Sequence, residues 1–222
     1  HPGTARINMD FDTTGSLSPA LQAKLNFTIH DSSYDQLPMS GAGKLQLAGK
    51  RLLPSSLDLL VAGNQLQLKG AFGAPADKLD IHLDAPQLAR LGFGISGLLK
   101  LDGQLTGSMQ RPNLRATYSG RQLAFGPHQL NRFDGQADLQ TDLNASAASA
   151  NNKLQLSLDG DGYSGPDAVL KQLKLSLSGT YGDHKLAVQA DGRVRNQTLA
   201  LQLNAHGKVT EDKNGYGWNG VI

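Results

Sequence analysis

Run after run of this chain places an apolar residue, most often leucine, at every second position with polar residues between, and that alternation limits what it can fold into. It begins with Leu21, Ala23, Leu25, Phe27 and Ile29, and continues through Leu45 and Leu47, then Leu57, Leu59 and Val61, then Leu66, Leu68, Gly70 and Phe72. It returns at Leu79, Ile81, Leu83 and Ala85, and at Leu99, Leu101, Gly103, Leu105 and Gly107, then at Leu114, Ala116, Tyr118 and Gly120. Beyond an Ala/Ser/Asn-rich stretch it resumes with Leu154, Leu156, Leu158 and Gly160, Leu173, Leu175, Leu177 and Gly179, Leu186 and Val188, and finally Leu199, Leu201, Leu203, Ala205 and Gly207. A period of two sends alternate side chains to opposite faces of a strand, whereas a helix needs apolar spacings of three and four. The intervening Gln65, Gln67, Lys69, Gln155, Ser157, Asp159, Gln202 and Asn204 require a sheet with one wet face.

What the apolar face does is less direct. The chain holds 37 Leu against 6 Val and 5 Ile, with aromatic content of 5%. Strands favour β-branched and aromatic residues, which interlock well in a closed core. The simplest reading of the rows is the interior of a closed β-sandwich. A lining for mobile apolar chains needs only reach and apolarity, which leucine supplies, and the composition favours that. Glycines fall in the apolar phase, at or near row ends: Gly70, Gly103, Gly107, Gly120, Gly160, Gly179 and Gly207. Glycine inside a strand marks a bend, a bulge or close backbone approach, so the expected architecture is all-β: a long, curved, antiparallel-rich sheet folded toward its leucine face into a trough. One short helix is expected over 84–92, with Asp84 as cap, Pro86 in the first turn and Gly92 as stop, and a second turn from Pro166 to Lys171. Residues 141–152 read as a flexible loop within a single 1–222 segment.

Several chemistries are not expected. A net charge of +2 with interspersed signs gives no footprint for nucleic acid. No cysteine is present, so disulfides and thiol catalysis are excluded. No apolar run approaches the 18 residues of a membrane helix. Gly92-Phe93-Gly94-Ile95-Ser96-Gly97 spells a dinucleotide fingerprint, but it follows the helix and enters a strand, the reverse of the required order, and reads as a turn. Asp159-Gly160-Asp161-Gly162 lacks the spacing of a calcium loop and reads as a solvated turn. The six histidines show no metal-ligand spacing and read as surface or capping residues. No nucleophile elbow or acid/base pair is visible, so neither an enzyme nor a cofactor or metal site is expected.

Ordered segments supply a further clue. Gly63-Asn64-Gln65-Leu66 leads through Gly70-Ala71-Phe72-Gly73 and Leu83-Asp84-Ala85-Pro86-Gln87-Leu88-Ala89-Arg90-Leu91 to Ser96-Gly97, Leu105-Thr106-Gly107 and Arg111-Pro112-Asn113-Leu114. Gly179 to His184 and Trp218-Asn219-Gly220 follow. This succession resembles the TamB family, the inner-membrane-anchored, AsmA-like component of the translocation and assembly module. The resemblance implies a β-taco with a hydrophobic groove in the periplasm, moving phospholipid between the membranes, and an outer-membrane β-barrel partner like TamA reached through parts outside this segment. It also implies that the chain is an internal fragment of a longer, membrane-anchored protein.

On that reading phospholipid acyl chains would lie against Leu25, Phe27, Leu45, Leu47, Leu59, Leu66, Leu68, Phe72, Ile81, Leu83, Leu99, Leu101 and Leu105, then Leu156, Leu158, Leu175, Leu177, Leu186, Val188, Leu201 and Leu203. The bends would fall at Gly70, Gly103, Gly107, Gly160, Gly179 and Gly207. The alternative is a chaperone-like scaffold that holds outer-membrane protein strands at a sheet edge. A carbohydrate-active β-sandwich would instead need paired carboxylates in a cleft.

Overall fold

The computed structural model describes residues 4–18, 20–145, 152–195, 197–212 and 215–222. Leucine is a better helix former than strand former, yet the period of two prevails and nearly all of the chain is strand. The strands are β1 (Ala5–Ser16), β2 (Gln22–Tyr34), β3 (Leu37–Ala48), β4 (Arg51–Val61), β5 (Asn64–Phe72), β6 (Lys78–Ala85), β7 (Ile95–Gly107), β8 (Pro112–Phe125), β9 (His128–Gln140), β10 (Lys153–Ser164), β11 (Ala168–Thr180), β12 (Asp183–Val194), β13 (Gln197–Asp212) and β14 (Gly215–Val221). They follow one another in sequence order through an open, antiparallel sheet.

The chain divides into two units, His1–Met109 with β1 to β7 and Gln110–Ile222 with β8 to β14. In the first, two-residue turns join β2 to β3, β3 to β4 and β4 to β5. Asp35 and Gln36 take φ of 46° and 66°, and Ala62 and Gly63 take 53° and 84°, the left-handed pair that a two-residue turn needs to match strand twist. At the opposite end of the strands, the Arg51 guanidinium grips Asp77 through Nε–Oδ2 at 2.8 Å and Nη2–Oδ1 at 2.7 Å. The Ala74 amide also donates to Asp77 Oδ2 at 2.9 Å, so one buried carboxylate ties the β3–β4 turn to the β5–β6 turn.

The helix expected over 84–92 is only a single 3-10 turn, Leu88–Leu91. Asp84 does not cap it. Asp84 and Ala85 remain in β6, paired with Lys100 and Leu99 of β7, because the ladder offers them backbone partners that a helix start would forfeit. Pro86 ends the strand, having no amide to give. Gly92, at φ 75°, closes the turn as expected. What holds this segment is Asn64, whose Nδ2 donates to Val61 O at 3.2 Å and Gln87 O at 3.1 Å while its Oδ1 accepts the Gln87 amide at 2.9 Å.

In the second unit the expected turn of helix from Pro166 to Lys171 is absent. Val169 and Leu170 pair with Ser164 and Tyr163, so β11 starts at Ala168 and sheet pairing overrides the local preference. Asp159 to Gly162 form no turn either. They lie in β10, with Asp159 bound to Lys174 at 2.9 Å, because the alternation runs on to Tyr163. Of the expected 141–152 loop, 146–151 lie outside the described residues. Its stem is tied down: Asp142 N donates to Asn152 Oδ1 at 2.6 Å, Leu143 N to Gln110 O at 2.8 Å, and Arg111 Nε to Asp142 Oδ2 at 3.0 Å.

Candidate apolar binding face

Antiparallel register turns the alternation into cross-strand rows. In the first unit one row runs Phe11, Phe27, Gly43, Leu57, Leu68, Ile81 and Gly103 from β1 to β7. Beside it run Met9, Ile29, Gly41, Leu59, Leu66, Leu83 and Leu101. Leu25 faces Leu45, and Leu47 faces Leu52, which faces Phe72; Leu105 faces Leu79, and Leu99 faces Ala85.

The second unit carries matching rows. Ala116, Ala137, Leu156, Leu177, Leu186 and Ala205 form one, and Tyr118, Gly135, Leu158, Leu175, Val188 and Leu203 the next. A third comprises Gly120, Phe133, Gly160, Leu173, Ala190 and Leu201. No Lys, Arg, Asp or Glu stands in any of these rows. Each lining residue read from the sequence therefore sits in an apolar row of its own unit.

These faces are not a sealed core. Among the described residues no large side chain is fully buried, and the buried apolar set is mainly alanine. The lining leucines are half-buried, Leu201 is 38% exposed, and only Phe72 among the lining residues is buried. The described strands belong to one sheet in which each pairs with its sequence neighbours, and the leucine rows stay half-exposed along it. The closed sandwich is thereby set aside.

The glycines separate into two kinds. Gly70 and Gly179 take φ of 129° and 125°, and a Cβ at either would run into the carbonyl of Lys78 or Asp183 respectively; Gly107 is also positive, at 89°. Gly103, Gly160 and Gly207 have no positive φ. Others lie beneath aromatic rings of the adjacent strand. A Cβ at Gly43 would overlap the Phe27 ring, one at Gly120 the Phe133 ring, and one at Gly207 the Trp218 indole at 2.5 Å. One at Gly135 would meet Tyr118. Large rings fold down over bare backbone, recovering the apolar contact a glycine lacks. Tyr118 and Phe133 then meet with centroids 6.2 Å apart and planes tilted by 50°, and Tyr118 Oη donates to Ser157 O at 2.8 Å; burial raises the Tyr118 pKa.

Alternation alone misses part of the face. Leu123, Leu130, Tyr163 and Leu170 form a further row, displaced by one residue from the rows above. Gln122, Asn131, Gly162 and Lys171 lie opposite one another and interrupt the ladder without changing the register from β8 to β11, with Gln122 at φ 50° and Gly162 at φ 66°. Across this interruption the leucines return to the apolar side: Leu123 reaches to 2.9 Å and Leu130 to 3.5 Å from Cβ positions at Gly120 and Gly160. The signal in the sequence was a spacing of three between Gly120 and Leu123, Leu130 and Phe133, Gly160 and Tyr163, and Leu170 and Leu173.

The opposite face is a lattice of paired charges and amides. Asp58 accepts from Gln65 at 2.8 Å and Gln67 at 2.9 Å, which lowers its pKa. Asp138 is lowered mainly by Lys153, at 2.8 Å, and further by Arg115. Asp77 is lowered by the Arg51 hydrogen bonds. His30, His82 and His206 are exposed and bound to Asp10, Asp102 and Asp183. His184 differs from the surface role expected of the histidines: it is buried in the apolar phase of β12.

The model of the TamB N-terminal domain matches residues 2–222, the whole of the described chain. The chain belongs to the TamB family. No solved structure matches it. TamB proteins are transport and assembly proteins of the Gram-negative envelope, associated with membranes and with TamA, and are not a known enzyme family. Among the described residues of this member, no helix is long and apolar enough to cross a membrane. The segments that carried the resemblance have structural work in the fold: Gly63-Asn64 makes the β4–β5 hairpin and grips Gln87, and the later His184 and Trp218 elements meet each other across β13.

Proposed function

We propose that the leucine faces of this chain carry phospholipid acyl chains between the inner and outer membranes, as a periplasmic segment of an inner-membrane-anchored protein. The observation that supports this reading is a set of uncharged, leucine-rich rows left half-exposed in both units. An exposed apolar surface of that extent in a water-soluble setting marks a binding surface.

The energetics favour a continuous track over a pocket. Each methylene removed from water is worth about 0.8 kcal/mol, so a phospholipid with roughly thirty of them needs about 24 kcal/mol of apolar contact wherever it stands. Rows of near-equivalent leucines supply similar contact at successive strands, so cargo meets no deep well. Absence of charge from the rows matters equally, since an unpaired charge against an acyl chain would raise a barrier of several kcal/mol. Mass spectrometry of the purified chain is the test: the reading expects co-purifying phospholipid, and lipid-free protein with full transport by Leu101→Asp would refute it.

A second reading is favoured by β1. All its residues are exposed, including Phe11 at 62%, and its outer edge has no neighbour among the described residues. Such an edge can template a strand of an outer-membrane protein during assembly. Under that reading a proline in β1 abolishes function and aspartate at Leu101 is tolerated; under the lipid reading the outcomes reverse.

A further inference from the structure

We propose that His184 is an acid-sensitive latch that holds Trp218, and through it the last strand, onto the apolar face of the second unit. Trp218 lies on β14, opposite Val209 of β13, and its indole reaches back over Gly207 to β12. There Trp218 Nε1 donates to His184 Nε2 at 2.8 Å. An indole nitrogen can only donate, so Nε2 must be the accepting, unprotonated nitrogen of a neutral imidazole. The other nitrogen, Nδ1, carries the proton and donates to Thr180 O at 3.2 Å. Both ring nitrogens of a buried side chain are thus committed, one to the turn before β12 and one to the edge strand beyond β13.

A second proton reverses the polarity of Nε2 and sets two donors against each other. The surroundings offer a protonated ring no compensation on its own face. The residues directly across from His184 are Gly179 on β11 and Gly207 on β13. Asp183 and Lys185 flank it on β12, and His206 and Lys208 flank Gly207 on β13, all in the polar phase; Tyr181 lies in the preceding turn. Asp183, the nearest of these carboxylates in sequence, is bound to His206. Protonation strengthens that Asp183–His206 pair while it breaks the Trp218 bond, so acid separates the two histidines by effect. The consequence is a strand whose docking depends on pH in the window where histidines change charge, whatever the leucine face carries.

Trp218 is the sole tryptophan in the chain, so its fluorescence reports the latch directly. Between pH 8 and pH 5 the intact chain should show a reversible shift in Trp218 emission together with lower amide-exchange protection, corrected for the intrinsic rate at each pH, over residues 217–221. His184→Gln, which can still accept the indole bond but does not titrate, should abolish both responses, and His206→Gln should retain them. Constant emission across the range, or an unchanged response in His184→Gln, overturns the proposal. Nitrogen NMR of the histidine rings decides the matter independently of any variant: an Nε2-protonated tautomer of His184 at pH 8 also overturns it.

Discussion

Gly120 and Gly160 flank Phe133 in one cross-strand row, and alanine at the two positions should act in opposite directions. Neither glycine has positive φ, so backbone strain does not enter. At Gly160 a Cβ would lie 3.4 Å from Arg132 O and Leu158 Cδ2 and 3.5 Å from Leu130 Cδ1, ordinary contact. Alanine there removes unfolded-state freedom without a clash and should stabilise by about 0.4–1 kcal/mol. At Gly120 a Cβ would lie 2.6 Å from Phe133 Cζ and closer still to Cε1, where carbon atoms prefer roughly 3.5–4.0 Å. The ring must move by about 1 Å, which costs about 1–3 kcal/mol as overpacking and loosens the Tyr118 contact, worth about 0.5–1.5 kcal/mol. The two variants should differ by roughly 2–5 kcal/mol. With a urea slope of about 2 kcal/mol per molar, their midpoints should separate by about 1–2.5 M. Urea unfolding followed by circular dichroism measures this. Equal midpoints for Gly120→Ala and Gly160→Ala would refute the view that aromatic rings cover the bare backbone of the apolar rows.

Acid should weaken the fold through the polar face. Hydrogen bonds to the charged forms hold the Asp58, Asp77 and Asp138 pKa values below those of the unfolded chain, so their stabilisation is complete above an unfolded value near about 3.9 and is lost as pH falls through the lower, folded values. The contribution of these carboxylates should be level from pH 7 to about 5, so the urea midpoint should fall steeply only below about 4, and Asp138→Asn should fall less steeply there. Asp77→Asn leaves the Arg51 fork half-answered, and hydrogen exchange should quicken in the two turns it joins, 49–50 and 73–77, while β10 to β12 stay protected. Leu158→Asp places a charge between Gly135 and Leu175 in an open row; because the site is half-exposed, the chain should still fold by circular dichroism yet lose bound lipid.

The sheet was legible because its signal is local. A period of two specifies strands without knowledge of any partner, and it located eleven of the fourteen strands to within a few residues wherever leucines were dense. β1, β9 and β14 escaped it; in β1, Ile7, Met9 and Phe11 form a short, leucine-free run. The row of Leu123, Leu130, Tyr163 and Leu170 escaped it because an interruption of the ladder replaces a spacing of two by one of three, and strict alternation discards such residues. Glycines in the apolar phase are of more than one kind, and which of them lie under a ring depends on register: Gly43 needs Phe27 opposite, and Gly120 needs Phe133. The turn at 84–92 misled because capping residues are read locally, whereas Asp84 is claimed by pairing with β7. Arg51 with Asp77 and His184 with Trp218, 26 and 34 residues apart, leave no trace in spacing at all.

The central claim is that the half-exposed leucine rows hold acyl chains, and quantitative extraction of lipid from the purified chain tests it most directly. Phosphorus and fatty-acid analysis should find phospholipid bound to the folded wild-type chain and a severalfold reduction in folded Leu101→Asp and Leu158→Asp, with Gln65→Asp on the opposite face unchanged. Equal lipid in all four proteins, or none in any, would contradict the account.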